Sequence, residues 1–483
     1  VTVVLAYDLG ASSGRLTAQK FDGESLSLSE VHRFKNEPIQ IGKHYYWDFP
    51  SILKNLSEGL NKAENNAASL GIDTWGVDIG LLNTKGKLIS NPFSYRDTHT
   101  VPFVQELEKT ISHNELFKRT GNEVSPINTL FQLRMIQEHH PFFLEEAKEI
   151  LLMPNLFIHA LSNEIVNERT IASTTQLLNI HSSQWDEELI HSIFKRSLPL
   201  SLIDNPHQII GKISDFPSIK AALVPGHDTA CALSALPIEE GDAMFISLGT
   251  WGVIGMEIKE PVLTMDAFNG GFTNERTSEG DIRFQKNATG FWVIQQLRKE
   301  WKQRGMAIDF DDEREAFHKA EPFQSFIQPE DASFFNPNSM SKAIQAYCHN
   351  TNQPVPNNVG EFVRCVSESL AMQYAAVINR MEELSKHSCS TIYIGGGGAQ
   401  NEIICQLIAN AANKKVVTGP AEASSLGNGL SQLRALGEIA SLDEGRQLIK
   451  RSFPAKEYEP QQAEMWREMS IQFADAHINK GVS

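Results

Sequence analysis

Val224-Pro225-Gly226-His227-Asp228-Thr229-Ala230-Cys231-Ala232-Leu233-Ser234-Ala235-Leu236 is the stretch on which the reading of this chain turns. A Pro-Gly pair breaks the backbone, and the small and apolar run after it predicts a buried helix that Pro237 closes. Asp228 falls in the first turn, where unpaired N–H groups and the positive end of the dipole favour an ionised carboxylate. Such a group can accept a hydrogen bond from an incoming hydroxyl without much basicity. Phosphoryl transfer asks for that, because its catalysis is mostly positioning and charge stabilisation. An aspartate at this place also serves as a plain N-cap, so the rest of the chain has to decide.

The 483 residues exceed what one core holds, and two large domains or about three smaller ones fit the length. Apolar residues at 41% and charged residues at 21% are those of an ordinary globular protein. A formal charge of −16 argues against a nucleic-acid or anionic-membrane surface, either of which needs a basic field. Cys231, Cys348, Cys365, Cys389 and Cys405 make no CxxC and no zinc spacing, which suits a reducing cytoplasm. Cys348 and Cys365 bracket a polar loop and are expected as free thiols. Val1–Leu5 reads as a strand, not a secretory leader, and no apolar run approaches a membrane span. The expectation is a cytoplasmic enzyme, monomeric or homodimeric.

Upstream, an apolar run to Tyr7 is interrupted by Asp8-Leu9-Gly10-Ala11-Ser12-Ser13-Gly14-Arg15. Two further strands, Leu16–Phe21 and Leu26–Phe34, are separated by an Asp22-Gly23 turn, so a β-meander with a Gly- and Ser-rich tip is predicted. No helix and no Gly-Lys-Ser/Thr follow the glycine, which excludes a Walker loop. A tight tip of small residues instead lets backbone N–H groups approach phosphate oxygens, with hydroxyls and Arg15 as added donors. Asp8, at the strand end, is placed to hold a magnesium ion through water. A plain hairpin turn is the other reading of these residues.

Residues 49–70 read as an amphipathic helix and residues 72–78 (IDTWGVD) as a buried strand whose Asp73 and Asp78 need partners. A hairpin through Thr84-Lys85-Gly86, the polar cluster Ser94-Tyr95-Arg96-Asp97 and helices across 102–161 follow. Residues 243–256 repeat the opening pattern, with Leu248-Gly249-Thr250-Trp251 echoing Leu9-Gly10-Ala11-Ser12. Beyond Lys286-Asn287-Ala288-Thr289-Gly290 a helix over 291–304 carries Gln295. Residues 329–350 read as loop-rich and 362–384 as a long helix. A strand at 391–394 runs into Gly395-Gly396-Gly397-Gly398 and a helix from Asn401, an order that lets a nucleotide lie on bare backbone. The absence of GxGxxG disfavours a dinucleotide fold.

DLGASSGR, DTWGVD, YRD, GHDTA, LGTW, GGGGAQN and PAEASSLGN, in this order and across essentially the whole chain, resemble the FGGY carbohydrate kinases of the sugar-kinase/actin/Hsp70 superfamily. ASSGR, IDTWGVD, SYRD, HDTA and KNATG fit the branch that phosphorylates L-rhamnulose better than the xylulose or glycerol kinases, which carry a glycine where this chain has His227. The resemblance implies an α/β protein of two RNase-H-like domains flanking an active-site cleft, residues 1–238 holding the sugar and catalytic base and residues 239–483 holding ATP. It implies ATP-dependent phosphorylation of a ketose at the 1-hydroxyl, with Mg²⁺.

Carried over by position, Asp228 is the proton acceptor. Gly76, His227, Asp228, Thr229 and Asn287 are the substrate contacts. Ala11, Ser12, Ser13, Gly14, Arg15, Thr250, Gln295 and Gly397 are the ATP contacts. Asp8 as a metal ligand rests on its chemistry. The glycine of Asp78-Ile79-Gly80 replaces a larger residue of relatives, a change expected to bear on sugar fit. Two other readings stay open: a kinase for another ketose or a polyol, and a non-catalytic ATP-switched protein of the actin or chaperone type. The GHDTA segment argues against the second.

Overall fold

The computed structural model describes residues 1–63, 66–239 and 244–478. Ala243, included above in the repeat of the opening pattern, and the last five residues lie outside the described residues. The chain forms two compact units. The first comprises Val1–Pro237, Glu257–Phe284 and Glu422–Pro454; the second comprises Ile238–Met256, Gln285–Ala421 and Ala455–Ser483.

The first unit is built on a sheet in the order Gln208–Ile213, Phe216–Leu223, Ser69–Thr74, Thr2–Leu9, Ser13–Phe21, Leu26–Lys35. Thr2–Leu9 pairs parallel with Ser69–Thr74 and antiparallel with Ser13–Phe21, which in turn pairs antiparallel with Leu26–Lys35. The predicted meander is therefore present. Thr2–Leu9 is apolar at nearly every position because both of its faces are covered. Val3, Leu5, Tyr7 and Leu9 join one core with residues of the helices Phe49–Lys62 and Met153–Ser162. Val4 joins another with Ala232, Leu426, Leu430 and Leu433.

The helix Ala423–Ala435 covers the second face and crosses the short helix Asp228–Ser234 at very close range. A Cβ on Gly427 would lie 1.8 Å from the Cys231 carbonyl oxygen, and one on Gly71, in the strand beneath, 2.5 Å from the Asn428 side chain. The glycine of the PAEASSLGN motif is thus demanded by backbone packing.

The second unit repeats the plan. The second sheet runs Thr273–Arg276, Ile282–Thr289, Trp251–Ile258, Met244–Leu248, Thr391–Gly395, Lys415–Thr418, Glu457–Tyr458. Met244–Leu248 pairs antiparallel with Trp251–Ile258 and parallel with Thr391–Gly395. The echo between the two Leu-Gly segments is therefore an echo of topology: each ends the strand that joins a meander to parallel strands.

Several boundaries differ from the sequence reading. The first helix ends at Lys62 rather than near residue 70, because Ser69–Thr74 is needed as a central strand. That strand stops at Thr74, and the chain turns through Val77 at φ 69°, an uncommon conformation for a β-branched residue. The Val77 N–H is taken by Thr174 Oγ1 at 3.1 Å and its carbonyl by Thr129 Oγ1 at 2.5 Å. A helix, Met340–Asn350, occupies the end of the stretch read as loop-rich. All five cysteines are buried free thiols. Among the described residues no helix is long and apolar enough to cross a membrane.

Gly427→Ala is expected to lower the free energy of unfolding by roughly 1–3 kcal/mol or more, since rigid backbone stands where the methyl must go. Urea unfolding of the variant checks this, and an unchanged midpoint would show that the helices can move apart without cost.

Candidate active site

Residue parity places the first acids. Asp8 lies on the Val4 face of its strand, and the parallel register sets it directly beside Asp73. Both are buried. Asn428, on the covering helix, donates to Asp73 Oδ2 at 2.7 Å, while Asp73 Oδ1 has no hydrogen-bond partner. Burial raises Asp8 to about 6; Arg15 opposes the shift, and the negative charges of Asp228 and Glu422 add to it. Burial and the adjacent Asp8 likewise hold Asp73 well above the usual carboxylate range, against the Asn428 amide. Two buried acids side by side, one with an unpartnered oxygen, are a donor set that fits Mg²⁺.

Asp228 opens its helix as predicted, although that helix stops at Ser234, short of Leu236. Its Oδ1 accepts from the Thr229 N–H at 2.6 Å and from Thr229 Oγ1 at 3.1 Å. His227 Nε2 lies 3.4 Å from the same oxygen. Behind the imidazole, Arg283 Nη2 is 2.8 Å from His227 Nδ1 and is paired with Glu275. Burial would raise Glu275, but Arg283 and His227 outweigh it and hold the acid at about 2. His227 Nδ1 also lies 3.3 Å from Glu275 Oε2, so the Glu275–Arg283 pair holds the imidazole from behind while Nε2 faces Asp228.

The turn before this helix is pinned by Glu168, whose Oε2 accepts the Gly226 N–H at 2.7 Å. The Gly226 carbonyl accepts the Thr74 N–H at 2.9 Å, and Thr74 bridges to His227. Two residues on, a Cβ at Gly76 would come within 3.2 Å of Thr174. Asp78 is buried below and accepts from Trp47 Nε1 at 2.6 Å, Trp75 Nε1 at 2.9 Å and Gln132 Nε2 at 2.7 Å. Burial lifts it to about 6 despite those donors. It ties two closely packed indoles, tilted 36° to one another, and a helix to the turn.

The N-terminal tip is shorter than expected. Only Gly10–Ser12 lie outside strands, and Ser13, Gly14 and Arg15 are paired into the sheet. Gly14 is small because a Cβ there would stand 2.3 Å from the Phe34 ring. Arg15 points its guanidinium at Glu422 and keeps Nε 3.5 Å from Asp8 Oδ2. Arg96, of the SYRD cluster, reaches the Ala11 carbonyl at 3.0 Å and Ser12 Oγ at 3.3 Å. Gly80 is buried with its Cβ direction 2.5 Å from Leu156, so packing within the unit accounts for that glycine without recourse to sugar fit.

In the second unit, Thr250, Gln295 and Gly397 line one cavity of about 630 Å³, a volume in the range of small-ligand sites. Thr250 Oγ1 hydrogen bonds to Gln295 Oε1 at 3.1 Å. The glycine turn is graded. Gly396 has φ 77°, Gly398 is pressed against Leu248, and a Cβ on Gly397 would meet nothing within 4 Å. Gly397 alone of the three leaves open space beside the backbone. Asn287 is exposed on its strand and is not among the residues lining this cavity.

Sequence reasoning missed Glu422, Asn428, Glu275 and Arg283 as neighbours of the acids. PAEASSLGN was noticed, and its Glu422 and Asn428 were the available signal. Nothing local marked Glu275 or Arg283. Asp73 was noted only as an acid in want of a partner.

Two sheet-centred units and buried acids beside a helix-opening aspartate define a phosphotransferase of known type. Residues 3–225 match the N-terminal domain, and residues 244–436 the C-terminal domain, of the FGGY family of carbohydrate kinases. The chain belongs to this family. It is 37% identical to the rhamnulokinase of Bacteroides thetaiotaomicron, over 97% of this chain and 98% of that protein. It is 36% identical to the rhamnulokinase of Bacillus subtilis over 95% of each. Among solved structures, gluconate kinase from Lactobacillus acidophilus aligns with a TM-score of 0.81 at 17% identity, covering 100% of this chain and 99% of that one. Plasmodium falciparum glycerol kinase with ADP gives 0.81 at 16% identity, covering 100% and 98%. These structures share the fold, which is that of the FGGY sugar kinases.

Asp8 titrates near 6 when folded against about 3.9 in an unfolded chain, so the folded state holds the extra proton between those values. Its contribution to stability therefore falls as pH rises from about 4 through 6 and stays low above. Without Mg²⁺, Asp8→Asn should be more stable than the wild type at pH 7.5 by about 1–3 kcal/mol and gain little at pH 4. Denaturant titrations at both pH values measure it; a variant no more stable than wild type at pH 7.5 would refute the assignment.

Proposed function

We propose that this carbohydrate kinase transfers the γ-phosphoryl group of ATP to the 1-hydroxyl of L-rhamnulose, giving L-rhamnulose 1-phosphate and ADP. The chemistry rests above all on Asp228, a carboxylate at a helix start flanked by an imidazole and by two buried acids. The sugar rests on the full-length similarity to rhamnulokinases.

Asp228 accepts the proton of the attacking hydroxyl as its oxygen bonds to the γ-phosphorus and the bond to the leaving ADP oxygen breaks. Thr229 fixes the Asp228 carboxylate through two donors, and His227 Nε2 stands 3.4 Å from the same oxygen. Gly76 and Asn287 complete the substrate contacts. In residues 1–238 the segment Ala11–Arg15, the end of the tip and the start of the next strand, donates to phosphate, and in residues 239–483 Thr250, Gln295 and Gly397 hold the nucleotide. Asp8 and Asp73 would hold Mg²⁺, which supplies charge neutralisation on the phosphates. A divalent cation would also offset the cost of burying both carboxylates, which is what chiefly raises them.

Asp228→Asn is expected to lower kcat by about 10²–10⁴ with KM for the sugar little changed. Steady-state kinetics decide it: near-normal turnover would remove Asp228 from the mechanism. For the sugar, a coupled assay of ADP release with L-rhamnulose, L-fuculose, L-ribulose and xylulose should give the highest kcat/KM for L-rhamnulose. A higher value for any other ketose would reassign the substrate. ADP release without any sugar would favour the ATP-switched class.

A further inference from the structure

The polar cluster that follows Pro92 carries chemistry that phosphoryl transfer does not use. His44, on the strand His44–Tyr46, meets Asp97 and His99 of the loop before the helix Val101–Leu107. One ligand atom from each of the three lies within 4.8 Å of the others. His44 Nδ1 is 3.2 Å from Asp97 Oδ2, and His99 Nδ1 is 2.8 Å from Asp97 Oδ1. Two ligands on one tetrahedral Zn²⁺ stand about 3.3 Å apart, given bonds of about 2.0–2.1 Å. The two imidazoles meet different oxygens of the Asp97 carboxylate, the His44 separation near that edge and the His99 one shorter.

His99 sharpens the point. Its side chain is only 6% exposed, and while Nδ1 meets the carboxylate, Nε2 has no hydrogen-bond partner. A buried imidazole left in that condition is costly unless something else takes its lone pair. The carboxylate, by contrast, is held in place: the Tyr45 N–H donates to Oδ2 at 2.7 Å and the His99 N–H to Oδ1 at 3.0 Å. Metal-binding carboxylates are oriented in that way by donors outside the ligand set. Phe93 lies against both rings, with centroids 5.2 Å from His99 and 6.1 Å from His44, and shields the cluster. His44 is 34% exposed and provides an entry path.

We propose that His44, Asp97 and His99 bind a divalent transition-metal ion of the Zn²⁺ type, with solvent as a fourth ligand, clasping the hairpin Ile39–Tyr46 to the loop 93–100. Two imidazole nitrogens and one carboxylate select Zn²⁺, Co²⁺ or Ni²⁺ over Mg²⁺, which demands oxygen ligands. The site is therefore chemically distinct from the Asp8 and Asp73 pair. The buried cysteines offer the ion no competing exposed thiolate. The clasp holds the loop whose Arg96 reaches the Ala11 carbonyl and Ser12 hydroxyl.

The test is equilibrium dialysis of the EDTA-stripped full chain against Zn²⁺ in excess Mg²⁺, read by metal analysis, with thermal unfolding in parallel. One Zn²⁺ per chain is expected, with a rise in Tm on binding. Affinity should fall about tenfold or more, and the Tm rise vanish, in His44→Ala and in His99→Gln. His44 is half-buried at a surface hairpin, so His44→Ala decides the matter should His99→Gln not fold. Bound Co²⁺ should show the visible absorption of a tetrahedral imidazole-containing site in the wild type and lose it in His44→Ala. No Zn²⁺ binding, or stoichiometric binding of unchanged affinity in His44→Ala, would overturn the proposal; the latter would put the ion elsewhere, as on the Asp8 and Asp73 carboxylates.

Discussion

The first unit is organised around the cost of burying Asp8 and Asp73 next to one another. A parallel register between two central strands makes them neighbours, and helices above remove the water that would screen them. One oxygen of Asp73 is left without a donor, and both acids hold protons more tightly than free carboxylates do. Natural cores avoid such an arrangement unless it has a use. A third acid, Asp228, contributes to raising both. The arrangement is unfavourable by itself and would become favourable with a divalent cation held by the pair.

Around that cost the neighbouring residues are arranged to keep Asp228 in one place. Glu168 fixes the Pro-Gly turn, Thr229 fixes the carboxylate, and the Glu275–Arg283 pair fixes the imidazole of His227. Arg283 is fully buried, and its charge is matched at once by Glu275. Breaking such a pair leaves an uncompensated buried charge, so each member is held by the other. A rigid, pre-aligned acid suits a reaction whose barrier is lowered mainly by positioning. The Gly427 crossing belongs to the same scheme, because it sets how deeply the Asp228 helix sits against the helix carrying Asn428.

In the second unit the glycines show why a run of them carries different roles at successive positions. Gly396 supplies a left-handed turn, Gly398 yields to Leu248, and Gly397 leaves an opening on the cavity that Thr250 and Gln295 also line. The sequence displays four identical letters there. Only packing distinguishes Gly397, beside which a Cβ would meet nothing within 4 Å.

What could be read from the residues alone was local. The Pro-Gly break, the helix that Asp228 opens, the meander and the strand–glycine–helix order are all set by neighbours a few positions apart, through turn chemistry and periodicity. The ordered motifs carried the family, because they span the whole chain. Tertiary structure decided the rest. Ser69–Thr74 took residues that helical periodicity had claimed, since a central strand buried on two faces outweighs local propensity. Gly14 and Gly80 proved to be packing glycines, each facing a side chain remote in sequence. Glu275, Arg283 and Asn428 stand tens to hundreds of positions from the acids they govern, and His44 stands more than fifty from Asp97 and His99. Distance along the chain says nothing about such pairs, because strand register and helix crossing bring them together, and neither is written in any short stretch.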